Sequence, residues 1–124
     1  MFLNSKKKNI RTSLFINPIE KDIITAKEVG SDCIEIHTGR IANLVKSNYN
    51  CKKEFNRIRK CTILAENLGI EVHAGHGLDY KTTKILSKIK QIKEFNIGHY
   101  LIGESVFNGL KAVIKNFRKI IYKK

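Results

Sequence analysis

No two cysteines in this chain lie close enough in sequence to suggest a metal knuckle or a redox centre. Cys33, Cys51 and Cys61 are odd in number and widely spaced, with no CxxC pair. That pattern argues against a zinc ribbon and a thioredoxin-type motif, and it reads as three reduced, partly buried thiols. Also missing is any apolar run long enough to span a bilayer. The N-terminus, MFLNSKKKNIRTSLFIN, places its lysines after a very short apolar start, the reverse of a secretory signal. The expectation is a cytoplasmic protein. Acidic residues are few: 11 Asp and Glu stand against 24 Lys and Arg, for a formal net charge of +13.

Such a surplus invites a nucleic-acid reading. Arginine, however, is scarce, with 5 Arg against 19 Lys. Arginine is the residue that forms bidentate pairs with bases and phosphates. Isoleucine (19) and asparagine (11) are abundant alongside lysine. All three share A/T-rich codons, so genome bias raises them together. The lysines are also spread along the chain, as on a solvated surface.

What is present suits one globular domain. The chain has 124 residues, 42% hydrophobic and 28% charged, enough for one modest core. Strand and helix signals alternate four times. TSLFIN (12–17) is an apolar run that stops at Asn17-Pro18. A helix follows over 19–29, with Ile19, Ile23 and Ala26 on one face and Gly30 closing it. CIEIH (33–37) is a second strand, with Glu35 and His37 on one face and Ile34 and Ile36 on the other. TGRIANLVKSNYN reads as a loop. An amphipathic helix spans 52–68 with the stripe Phe55, Ile58, Cys61, Ala65 and Leu68. IEVHA (70–74) is a third strand. Asp79 caps a short helix through Ile89. EFNIG (94–98) is a fourth strand. A last helix runs over 105–122 on the spacing Val106, Leu110, Val113, Phe117, Ile120. Such lengths fit right-handed βα crossovers and a parallel sheet. Residues 1–10 read as a loose basic leader.

Chemistry-bearing residues gather where strands end. Glu35, His37 and Thr38 close the second strand, His76 and Gly77 follow the third, and Gly98 and His99 follow the fourth. Parallel α/β folds assemble active sites at these carboxyl ends. His76 sits between Gly75 and Gly77, where the backbone can turn sharply and the ring can stand clear. A histidine there can give or take a proton near neutral pH. His73, three residues earlier, would not share a strand face with His76 and reads either as structural or as a support behind the site residues. Glu35 lies inside an apolar strand and needs a partner. It suits proton transfer or stabilisation of developing positive charge; the competing reading is a buried ion pair with a lysine. In NIGHYLIGES, the amides around Gly98, His99 and Gly103 precede a helix and suit an anion. A zinc site from His37, His76 and His99 competes with this, but their Gly-rich contexts fit oxyanion binding better.

Taken in order, SLFIN, VGSDCIEIHTG, LGIEVHAGHGLDY and FNIGHYLIGESVFNGL resemble the second half of the pyridoxine 5'-phosphate synthase family, over about Arg11 to Lys119. The resemblance implies a (β/α)₈ barrel whose last four parallel βα units are residues 11–124. It implies condensation of 3-amino-2-oxopropyl phosphate with 1-deoxy-D-xylulose 5-phosphate in vitamin B6 synthesis, without metal or redox cofactor, in a homo-oligomer. By that resemblance His76 is the proton donor, Glu35 the transition-state stabiliser, and Gly77, Gly98 and His99 bind the amino-ketone phosphate. Three positions depart from the family pattern: His73 for an asparagine, Ile41 for an aromatic residue and Glu104 for a basic one. A barrel of this kind takes about 250 residues. The family's general bases, from its N-terminal half, have no match here. The expectation is a chain inactive alone, paired with a complementary N-terminal half-barrel or with itself. A non-catalytic gene remnant or phosphate-ligand-binding module is the alternative, and a basic nucleic-acid binder is the third reading.

Overall fold

The computed structural model describes residues 8–122. Most of the expected leader therefore lies outside the described residues. Four parallel strands form one sheet in the order of the chain: β1 (Ser13–Ile16), β2 (Cys33–His37), β3 (Glu71–Gly75) and β4 (Ile92–Asn96). Between them run α1 (Glu20–Glu28), α2 (Gly39–Lys46), α3 (Lys52–Asn67) and α4 (Tyr80–Leu86); α5 (His99–Asn108) and α6 (Leu110–Ile121) follow β4.

The register divides the sheet chemically. Leu14, Ile34 and Val72 align across the strands, as do Ile16, Ile36 and Ala74. These rows pack with Ile23 and Ala26 of α1, Ile58, Cys61 and Ala65 of α3, and Leu86 of α4 in one apolar core. The opposite rows are Phe15, Glu35, His73 and Glu94, then His37, Gly75 and Asn96. One face is thus greasy and covered by helices, and the other is polar. The register turns Glu35 and His37 away from the core.

Four expectations need correction. Residues 39–46 form a helix rather than a loop, burying Ile41 and Ala42; it stops at Asn48, which adopts φ +56. The fourth strand lies two residues earlier than expected, so Gly98 caps α5 instead of ending β4. The expected helix over 105–122 is two helices, broken at Gly109 with φ +77 and ψ 139. Of its proposed stripe, Val113 and Phe117 are buried while Val106 and Leu110 are exposed. Finally, Ile19 is the exposed N-cap of α1 rather than part of its buried face. Asp79 caps α4 as expected, its carboxylate accepting from the Thr82 amide at 2.7 Å.

All three cysteines are free; Cys33 and Cys61 are buried and Cys51 is half-buried. Among the described residues no helix is long and apolar enough to cross a membrane.

Candidate functional site

At the carboxyl end of β3 the chain turns through Gly75-His76-Gly77. His76 adopts φ +76, a left-handed conformation that only glycine takes readily, and Gly77 does the same. Thr38 stabilises this turn. Its amide donates to the Gly75 carbonyl at 2.9 Å. Its buried hydroxyl lies 2.7 Å from that carbonyl and 2.8 Å from the carbonyl of His76. The Thr-Gly after β2 and the Gly-His-Gly after β3 thus form one locked unit. A side chain at Gly77 would press on Ala42 of α2 at 3.1 Å.

The lock aims the His76 ring. It stacks on His37, with centroids 4.6 Å apart and planes tilted by 24°. Phe15 lies beyond, 5.2 Å from His37. A Cβ at Gly39 would reach 2.6 Å from the His37 ring and 2.9 Å from that of His76, so the stack needs glycine there. Two rings lying face to face do not point their nitrogens at one centre. Among the described residues no group of three His, Cys, Asp or Glu side chains is placed to hold a metal.

Beside His76 opens a cavity of about 640 Å³, lined by His76, Gly77, Gly98, His99, Asn96 and Lys46 among others. Four of the five site residues expected from sequence meet here. The first turn of α5 also faces it. No side chain caps that helix, so its leading amides are open to an anion. Tyr100 lines the same wall. Burial, then Glu104, raises its phenol above the ordinary value, so it stays a hydrogen-bond donor. Glu104 itself does not line the cavity and accepts a bond from Asn108 at 2.8 Å.

Glu35, the fifth expected residue, reaches the cavity indirectly. Its carboxylate accepts a 2.6 Å bond from the Asn96 amide, crossing over β3. The crossing is possible because position 75 is glycine. A Cβ there would collide with the Glu35 carboxylate and sit 3.2 Å from the Asn96 Cβ. The partner of Glu35 is therefore an amide, not a lysine.

His73 is buried on the same face but stands apart. Its Nε2 lies 2.8 Å from Glu71, which also pairs with Arg11 at 2.6 Å. His73 does not line the cavity. Asn96 and Lys46 were not legible in the sequence. Lys46 lay in a segment read as a loop, and Asn96 is marked only by the register that sets it beside Gly75.

The chain matches the family model described as pyridoxal phosphate biosynthesis protein PdxJ over residues 1–123. It is 62% identical over 117 residues to a pyridoxine 5'-phosphate synthase of Pelagibacter ubique, covering 94% of this chain and 49% of that protein. It is 45% identical over 116 residues to one of a Sulfurihydrogenibium species, covering 94% and 47%. A third, from Zymomonas mobilis, is 47% identical over 112 residues, covering 90% and 43%. The chain spans about half the length of the curated relatives it matches.

Proposed function

This chain belongs to the family of the pyridoxal phosphate biosynthesis protein PdxJ, and on that premise we propose that it supplies half the active site of a pyridoxine 5'-phosphate synthase. In this reading the cavity beside His76 holds 3-amino-2-oxopropyl phosphate for condensation with 1-deoxy-D-xylulose 5-phosphate. The observation that carries it is the meeting of His76, Gly77, Gly98 and His99 on one cavity at the carboxyl ends of β3 and β4.

Each residue has a physical role. The phosphate lies against the open amides of α5, with Lys46 and His99 as side-chain donors. Gly77 and Gly98 let its oxygens approach backbone. His76 stands over the reacting end as proton donor. Glu35 opposes positive charge that develops as the amine attacks a carbonyl carbon. Two steps of proton removal need bases that this half does not provide, so the chain alone does not turn over. Turnover calls for a complementary half-barrel that brings those bases to the open sheet face; another copy of this chain would cover that face without supplying them. The setting is cytoplasmic, where such phosphate esters are made and used.

Calorimetric titration with inorganic phosphate tests the anion site. Wild-type chain is expected to bind. Lys46→Ala and His99→Ala should each weaken binding several-fold, about 1 kcal/mol or more for a hydrogen bond to a charged group. Equal binding by all three proteins would remove the basis of this reading. A phosphate-binding module without catalysis would pass this test but tolerate His76→Ala when the chain is completed by a relative's N-terminal half. The proposed enzyme would lose nearly all activity.

A further inference from the structure

Asn96 has a duty the reading above does not use. It is half-buried at the end of β4 and lines the same cavity as Gly98 and His99. A carboxylate can only accept hydrogen bonds, so the 2.6 Å contact with Glu35 requires Asn96 to present its NH₂ group there. That fixes which way the amide faces. The carbonyl oxygen is left on the other side, and no donor among the described residues meets it. Glycine at position 75 holds the arrangement open, since a Cβ would fill the space where Glu35 and Asn96 meet.

We propose that Asn96 is a specificity-determining residue whose outward carbonyl accepts a hydrogen bond from a primary amine on the cavity's phosphate ligand. Glu35 positions it by pinning the NH₂ end. The ligand class is a small phosphate ester with an amine a few atoms from the phosphate. The phosphate would be held at the start of α5 and the amine at the end of β4, the strand that leads into that helix. The inference rests on the reading of the cavity as an amino-ketone phosphate site and adds the group that reads the amine.

The test compares 3-amino-2-oxopropyl phosphate with 2-oxopropyl phosphate, which lacks only the amine, by calorimetry on the whole chain. Inorganic phosphate serves as the reference. Wild-type protein should prefer the amine about tenfold, the worth of one hydrogen bond to a charged donor. Asn96→Leu should lose most of that preference with phosphate affinity unchanged. Asn96→Ala, which only removes atoms, serves if the leucine is not accommodated. Glu35→Gln removes the charge but still offers an oxygen to the Asn96 NH₂, so it should keep most of the preference. Preference lost in Glu35→Gln but intact in Asn96→Leu would assign the amine to the glutamate charge and overturn the proposal. So would a wild-type ratio near one with phosphate still bound. Absence of phosphate binding altogether would instead overturn the site reading on which this depends.

Discussion

His76 illustrates a local conflict between stability and chemistry. A non-glycine residue at φ +76 is strained by about 1 kcal/mol or more. Its flanking glycines and the Thr38 hydroxyl hold it there. Replacing His76 by glycine should therefore raise the urea midpoint, by up to about 1 kcal/mol in unfolding free energy. The same change removes the candidate acid. His76→Ala keeps the strain and should not stabilise. If glycine is no more stable than alanine, the backbone is not paying for the ring's position. A second residue-level expectation concerns Glu71. Its bond to His73, then its pairing with Arg11, holds the Glu71 carboxyl below its ordinary value. A depressed carboxyl stabilises the fold above the unfolded-state value, about 4.3 for glutamate. That contribution drains away as pH falls through this range toward the folded value. Melting wild type and Glu71→Gln between neutral and acid pH should show a gap that closes as the pH drops. Exposure makes the gap small and salt-sensitive; a gap constant with pH would contradict the assignment.

Two glycines on the C-terminal helices make opposite predictions at the scale of elements. Gly109, at φ +77 and ψ 139, separates α5 from α6, and nothing lies within 4 Å of where its Cβ would be. Gly109→Ala should cost roughly 1–3 kcal/mol from backbone strain alone. Gly103 sits inside α5 with equally open surroundings, so Gly103→Ala should stabilise by about 0.5–1 kcal/mol. Denaturant melts in which both changes stabilise would mean α5 and α6 form one helix in solution. That continuous helix is what the sequence suggested, because the apolar spacing of four, three, four and three runs straight through Gly109. Periodicity reports which residues are apolar, not where the axis breaks. Residues 39–46 misled in the other direction. TGRIANLVKSNYN read as a loop, yet Ile41 and Ala42 are buried and residues 39–46 are helical. β1, β2, β3, α1 and α3 were legible because one face of each is apolar at its own period; β4, IKEFN, has no such face and was misplaced by two residues. The gathering of His76, Gly77, Gly98 and His99 was legible because glycines and histidines mark strand ends. The Glu35–Asn96 bond was not, since it joins residues 61 apart through a register no single segment encodes.

At the scale of the molecule the sheet is covered on one side only. Parallel sheets are ordinarily buried on both faces. Here Phe15 is 55% exposed on the polar side, and the strands β1 and β4 are both edges. On α5, Ile102, Val106 and Phe107 are 62%, 77% and 88% exposed, and no residue of that helix is buried. Apolar area in water is unfavourable by about 25 cal/mol per Å², and unpaired strand edges template further pairing. The relatives' additional length is of the size that four more βα units would need. The net charge of +13 opposes self-association of like chains, most strongly at low salt. Two dependences follow. The apparent melting temperature should rise with protein concentration, and more steeply as salt screens the lysines, because a partner that binds only the folded form stabilises it by mass action. On the proposed reading, a polypeptide matching the N-terminal half of the Pelagibacter ubique relative should raise it further at equal concentration by pairing with both edges. Sedimentation that finds a monomer across the concentration range, with a melting temperature indifferent to salt and to the added half, would show that the open face is stable in water and that this sheet needs no second half to hold its site together.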